Sequence, residues 1–270
     1  MELQAKKSLG QNFLNNRHVP KVMCDAAELL PKEVVLEIGP GTGVLTHALL
    51  ERGVTVIALE ADLRSIEILQ EKFGEEISSG QLTVRHADVR EFDLSAYSLK
   101  DHGFKVVANI PYYLSGWLFR SLLETDIQPT QIVFLVQKEV AKRAVASVNK
   151  GEKMSLLSVA TQIYGDVSYV KTVTRGNFTP SPKVDSAIIS VNNINRDNFQ
   201  HVSEKDFFKL LHLGFQHKRK QLLGNLSRYY KRSDLVKALT NIGLDEKIRA
   251  EDLSIGNWLS LTNALTERMS

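Results

Sequence analysis

A chain of 270 residues with 43% apolar and 24% charged side chains has ordinary globular composition, which excludes disordered, collagen-like and coiled-coil classes. Its single cysteine, Cys24, leaves no disulfide framework and no thiolate-rich metal site, and it points to the cytoplasm. The net charge of +3 is unevenly placed: residues 1–200 hold 22 basic against 23 acidic side chains, and residues 201–270 hold 12 against 8.

Residues 1–16 contain no apolar core of signal-peptide length, and no aliphatic run is long enough to span a bilayer, so no membrane partner is expected. An apolar pattern from Val19 to Leu30 predicts a helix with Cys24 in the core. Val34 to Ile38 reads as a strand that ends in Gly39-Pro40-Gly41-Thr42-Gly43, after which Leu45, Ala48 and Leu49 recur at helical spacing. The pattern repeats with a strand from Thr55 to Glu60 and a helix face of Leu63, Ile66, Leu69 and Phe73. Short strands follow at Leu82 to His86 and Phe104 to Asn109, then a helix from Ser115 to Leu123 and a buried strand from Ile132 to Gln137. Strands alternating with helices predict an α/β fold, a Rossmann-like parallel sheet covered on both faces.

The rhythm then changes. Asp166 to Thr174 and Ser186 to Asn192 read as two strands separated by Phe178-Thr179-Pro180-Ser181-Pro182, an antiparallel pair that closes the sheet. The polar stretch from Asn192 to Asn198 is a linker, and three helices follow it, marked by Phe207 to Phe215, Leu235 to Leu239 and Ile255 to Leu265. The expected domains are therefore residues 1–195 and a small all-helical unit, 196–270. Between Asp206 and Asp234 no acid occurs, while Lys209, Lys218, Arg219, Lys220, Arg228, Lys231 and Arg232 fall there among Phe215, His217, Tyr229 and Tyr230. That stretch is either an anion-binding surface or a solvated helix face.

The chemistry concentrates at strand ends. Gly39, Gly41 and Gly43 allow positive φ and close approach of a ligand to backbone. A nicotinamide fingerprint would need a glycine where Val44 stands. Glu60, at the end of the second strand, is placed to accept hydrogen bonds from both ribose hydroxyls of an adenosine moiety, and Asp88 to accept from its exocyclic amine. Asn109-Ile110-Pro111-Tyr112 closes the strand beside the glycine turn, where such sheets bind substrates. His86, His212 and His217 show no metal-ligand spacing, so no metal is expected.

Asn109-Ile110-Pro111-Tyr112 resembles the amine-methylating signature of class I S-adenosylmethionine-dependent methyltransferases, and Glu37 to Gly43 resembles their cofactor loop. Leu9-Gly10-Gln11-Asn12-Phe13-Leu14, Phe178 to Ser186 and Phe215-Gln216-His217-Lys218-Arg219-Lys220 narrow the likeness. Together the five motifs are similar to the KsgA-type ribosomal RNA adenine dimethyltransferases over nearly the whole chain. The resemblance implies S-adenosylmethionine as cofactor, S-adenosylhomocysteine as product, and a mostly parallel sheet with its last strand antiparallel. It places Asn12 and Leu14 on the methionine side of the cofactor, Gly39 and Gly41 in the loop, and Glu60 and Asp88 on ribose and adenine. Asn109 would stand at the join between cofactor and substrate and bind both; with the Ile110 carbonyl, Pro111 and Tyr112 it would hold the target base, and Phe178 would close its other face. Lys218, Arg219 and Lys220 would contact RNA, after a short N-terminal arm with only Lys6 and Lys7.

The implied activity is dimethylation at N6 of two neighbouring adenines in a hairpin loop of small-subunit ribosomal RNA. The partners would be the small subunit or its precursor and its rRNA, with the enzyme a cytoplasmic monomer in ribosome biogenesis. Two rivals stand beside it: a large-subunit adenine methylase of the antibiotic-resistance type, and an assembly factor for which methylation is a release signal.

Overall fold

The computed structural model describes residues 5–6, 10–91 and 93–266. Lys7 and Leu9 lie outside the described residues. The chain divides into two compact units, Met1–Ala141 with Asp166–Ile194 and Lys142–Gly165 with Asn195–Ser270. The break at Ile194 falls inside the polar linker, whereas Lys142–Gly165 groups with the helical unit although it precedes two strands of the sheet.

In chain order the elements are β1 (Phe13–Leu14), α1 (His18–Ala26), β2 (Val34–Ile38), α2 (Val44–Leu50), β3 (Thr55–Glu60), α3 (Leu63–Lys72), α4 (Gly74–Ser78), β4 (Leu82–His86) and β5 (Lys105–Asn109). There follow α5 (Ser115–Leu123), β6 (Gln131–Gln137), α6 (Lys138–Val145), α7 (Leu156–Gln162), β7 (Asp166–Val173), β8 (Phe178–Thr179) and β9 (Ser186–Asn192). The chain ends with α8 (Glu204–Gly214), α9 (Leu222–Leu226), α10 (Arg232–Asn241) and α11 (Ile255–Thr266).

Seven strands form one sheet in the order β4-β3-β2-β5-β6-β9-β7. The first five are parallel; β9 runs antiparallel to both β6 and β7. Burial explains the patterns. β6 is covered on both faces, so Ile132 to Val136 is uninterrupted apolar sequence. β7 is an edge strand, mostly alternating exposed with half-buried positions and broken by a register shift between Tyr169 and Lys171. Met23, Cys24, Leu49, Val56 and Val133 are among the core residues with no exposed surface, and burial pushes the Cys24 thiol up to about 12, which makes it inert packing.

β1 and β8 form a separate two-stranded pair, Phe13 opposite Thr179 and Leu14 opposite Phe178. No pattern in the sequence marks it, because two residues are too few to show a period. The chain passes from β2 through α2 to β3 on one side, while β5 pairs with the other side of β2. The topological switch point is thus between β2 and β5, and parallel direction brings the ends of β2, β3, β4 and β5 to one edge.

In the helical unit Ser203 caps α8 by accepting from the Asp206 amide, and Ser155 and Ser158 form a reciprocal cap on α7. Tyr164, Phe199, Phe207 and Phe208 pack ring against ring, and Trp258 stacks on Phe215 with centroids 5.7 Å apart. Among the described residues no helix is long and apolar enough to cross a membrane.

Candidate active site

A cleft opens at the carboxyl edge of the sheet, lined by residues 10–14, the turns after β2, β3 and β4, and the segment from Asn109 to Leu114. Glycine shapes its floor. Gly39 and Gly41 have φ of +69° and +56°, and a Cβ on Gly41 would stand 3.0 Å from two carbons of the Phe13 ring. Both the backbone conformation and the close approach of Phe13 therefore require glycine there.

Glu60 ends β3 only 5% exposed. One carboxylate oxygen accepts from the Gly41 amide at 3.0 Å and the other from the Asp62 amide at 2.8 Å. Burial raises its pKa, and these backbone donors oppose the rise. The same carboxylate thus ties the glycine turn to the end of β3. Asp62, 2% exposed, accepts from Arg64, Gln11 and Lys6, and these donors hold its carboxyl well below the usual range. That cluster anchors the N-terminal segment beside the cleft.

Glu37, in β2, is 1% exposed, and neither carboxyl oxygen has a hydrogen-bond partner among the described residues. Desolvation pushes its pKa up to about 8 against an opposing pull from Thr46, so the carboxyl is largely protonated at neutral pH. Glu37 lines the cleft with an unspent donor and acceptor. Asp88, half-buried after β4, accepts from the backbone amide of Arg90 at 2.9 Å and from its guanidinium, which lowers its pKa. An adenine amine would share that carboxylate with Arg90, itself a cleft residue.

The substrate end is built across a long span of sequence. The Asn109 side-chain amide donates from Nδ2 to the Asn12 carbonyl at 3.2 Å, which aims its Oδ1 away from that bond. Asn12 in turn donates to the Gly10 carbonyl at 3.2 Å. The Tyr112 hydroxyl and the Ser186 Oγ are 2.6 Å apart, so β9 fixes the ring of Tyr112. Burial raises the Tyr112 pKa and keeps the phenol neutral.

Asn12, Leu14, Gly39, Gly41, Glu60, Asp88, Asn109, Ile110, Pro111 and Tyr112 all line this one cleft. Phe178 does not. It is 3% exposed and packs in the apolar core with Leu14, Val107 and Ile188, and through Leu14 it stands next to a residue of the cleft wall. Its pairing through β8 with Leu14 of β1 draws it inward. Lys218, Arg219 and Lys220 are exposed in the turn between α8 and α9 of the other unit.

A ribosomal RNA adenine dimethylase model matches residues 2–267 of this chain. The chain belongs to that family. A ribosomal RNA small subunit methyltransferase A from Dehalococcoides mccartyi (strain CBDB1) is 40% identical over 263 residues, 96% of this chain and 88% of that protein. The solved dimethyladenosine transferase of Plasmodium falciparum superposes with TM-score 0.77 at 26% identity, covering 92% of this chain and 95% of its own. The 23S rRNA methyltransferase ErmE gives TM-score 0.72, also at 26% identity, over 94% and 100% of the two chains. The fold of this dimethylase is thus the Rossmann-like methyltransferase sheet.

Sequence reasoning gave no role to Glu37, Arg90, Gln11 or Phe13 of the cleft. For Glu37 a signal existed: an acid inside an apolar strand, next to a glycine turn. Among the described residues no group of three or more His, Cys, Asp or Glu is placed to hold a metal ion.

Proposed function

We propose that this dimethylase moves methyl groups from S-adenosylmethionine to N6 of two adjacent adenines in a hairpin loop near the 3′ end of small-subunit rRNA. The sheet unit, residues 1–195 by the sequence boundary, would bind cofactor and target base, and the helical unit would anchor RNA. The small-subunit reading is favoured over the large-subunit rival by the name of the 40% identical relative, set against 26% for ErmE. The same reading puts the enzyme in the cytoplasm as a monomer on the small subunit or its precursor.

The residues present fit the cofactor. Gly39, at positive φ with no atom nearer than 4.0 Å to where a Cβ would stand, leaves backbone open to close approach, Glu60 offers a buried carboxylate to vicinal hydroxyls, and Glu37 is a buried carboxyl on the cleft wall whose oxygens lack a partner within hydrogen-bond distance among the described residues. When bound, S-adenosylmethionine supplies an electrophilic sulfonium methyl. Gly39, Gly41 and Glu60 would hold its adenosine end with Asp88, while Asn12 and Leu14 would line its methionine end.

An exocyclic adenine nitrogen is a poor nucleophile because its lone pair is delocalised into the ring. The residues here localise it. Asn109 Oδ1 and the Ile110 carbonyl would each accept one N–H in the first transfer, favouring a pyramidal nitrogen; in the second only one N–H remains, and stacking and pocket shape would carry more of the positioning. No strong base is needed, since the nitrogen becomes acidic only as the new bond forms, and water then takes the proton. Rate would come mainly from the alignment these residues impose on the base. Tyr112, held by Ser186, would stack on the flipped base, a contact worth roughly 1–3 kcal/mol.

The observation that carries this reading is the Asn109 amide fixed by the Asn12 carbonyl, because it leaves an oriented acceptor in the cleft. Labelled methyl should pass to undermethylated small subunits and not to large subunits, with the label mapping to adenine. Asn109→Ala should abolish transfer while RNA affinity is kept. Transfer to large subunits, or a near wild-type rate for the variant, would overturn it.

A further inference from the structure

Among the described residues three aromatic side chains are strongly exposed: Tyr113 at 57%, Tyr229 at 51% and Trp117 at 38%. Two of the three sit within eight residues of Asn109. Tyr113 belongs to the turn Tyr112–Leu114 and lines the cleft itself, packed so closely over Gly10 that a Cβ there would meet its ring at 3.1 Å. Leu114 is already right-handed helical, so the turn Tyr112–Leu114 runs on into α5, and Trp117 follows Tyr113 by four residues, about one turn. The opposite side of α5 is the packed one, with Leu118, Phe119, Leu122 and Leu123 buried.

Trp117 also walls a second groove, shared with Leu94, Ser121 and Thr125, and with the charged residues Asp93, Arg120 and Glu124. Its charges decide what could enter. Arg120 is neutralised by Glu124 at 2.8 Å, and Asp93 adds a further carboxylate that accepts from Ser95. Two carboxylates against one guanidinium repel a phosphodiester, so the groove suits a neutral, flat group and not a backbone segment.

We propose that Tyr113 and Trp117 form a stacking subsite for the nucleobase adjacent to the adenine being methylated. The proposal rests on the target-pocket reading of Asn109 and Tyr112 and names how the flanking nucleotide is held. An enzyme that modifies two neighbouring bases must place one while the other reacts. Tyr112 and Tyr113 are consecutive and both line the cleft, and Trp117 lies about one turn further along the chain, exposed on α5. Stacking is tolerant of base identity, which lets the same surface serve whichever of the two adenines is outside the pocket.

The test compares Trp117→Phe, Trp117→Leu and Trp117→Ala in methyl transfer to undermethylated small subunits, beside Asn109→Ala. Trp117→Leu and Trp117→Ala should lose roughly five- to hundred-fold in kcat/KM, carried by KM, while Trp117→Phe stays within about threefold of wild type. Cofactor affinity and thermal unfolding should be the same in all three. If Trp117→Leu matches Trp117→Phe, the contact is merely apolar, as with a protein partner, and the subsite is overturned; wild-type KM in every variant overturns it too. An inert Asn109→Ala beside unaffected Trp117 variants removes this subsite alone. An active Asn109→Ala removes the target pocket, and the proposal with it.

Discussion

Glu37, two residues before the glycine turn, and Glu60, hydrogen-bonded to that turn through the Gly41 amide, are both buried acids, yet their surroundings give them different states. Two backbone amides donate to Glu60 at 3.0 and 2.8 Å, whereas at Glu37 burial outweighs the pull of Thr46. The Glu37 carboxyl is raised from 4.5 to about 8, so folding favours its protonated form. Its contribution is whole below about pH 4.5, where both states hold the proton, and is lost as pH rises through about 8. Glu37→Gln has no such proton to lose. Urea denaturation of the ligand-free protein should show the variant gaining stability relative to wild type between about pH 5 and pH 8.5, by a few kcal/mol. Parallel pH profiles would mean that Glu37 is ionised and partnered. Glu60→Gln tests the other acid, since it keeps the volume but sets an amide N–H against one of the two backbone donors. Titration calorimetry should show S-adenosylmethionine affinity reduced about ten- to hundred-fold, from charged hydrogen bonds at roughly 1.5–3 kcal/mol. Unchanged affinity would remove Glu60 from the cofactor site.

The elements differ in how much of themselves they wrote into the sequence. β2, β3, β4 and β9 were legible to the residue, because runs of branched aliphatic residues bounded by turn formers have no other use. α6 and α7 were not, being short, and α7 is capped by a Ser–Ser pair where a Ser-x-x-Glu signal is the readable one. Asn109 was legible from its place at a strand end, but its orienting bond to Asn12 joins residues 97 apart, and no local pattern encodes that. The burial of Phe178 is hidden for the same reason, since it depends on pairing with β1. The turn into α2 shows how an element can be tested. Gly43 caps α2 at φ +76°, and a Cβ there would lie 2.5 Å from Phe73 and 2.9 Å from Leu69. Gly80 has φ +80° with nothing within 4 Å. Gly43→Ala should therefore cost backbone strain plus about 1–3 kcal/mol of overpacking, and Gly80→Ala the strain alone. Equal shifts of the denaturation midpoint in the two variants would show that Phe73 and Leu69 yield freely.

At the scale of the whole molecule, cofactor and RNA are assigned to different units, and the assignment can be separated by salt. The run from Gln216 to Lys220 is an exposed turn between α8 and α9, and no helix face carries it. Asn225 pins the turn from inside: 2% exposed, it donates to the Gly214 carbonyl at 2.6 Å and to the His217 carbonyl at 3.2 Å. The Lys220 amide closes back on the His217 carbonyl at 3.0 Å. Lys218, Arg219 and Lys220 thus project from a fixed base, and none forms an ion pair among the described residues, so their charge is free for an anion. Each phosphate neutralised by such a residue releases counterions, and the logarithm of the RNA binding constant falls with the logarithm of salt by about 0.7–0.9 per contact. Replacing all three by Ala should make that slope shallower by about two to three, with S-adenosylmethionine affinity unchanged because the residues proposed to hold the cofactor lie in the other unit. Loss of fold would lower cofactor binding together with RNA binding, which the titration detects. A solvated turn with no role in binding leaves the slope as it is, and RNA affinity measured at several salt concentrations for both proteins decides between the two.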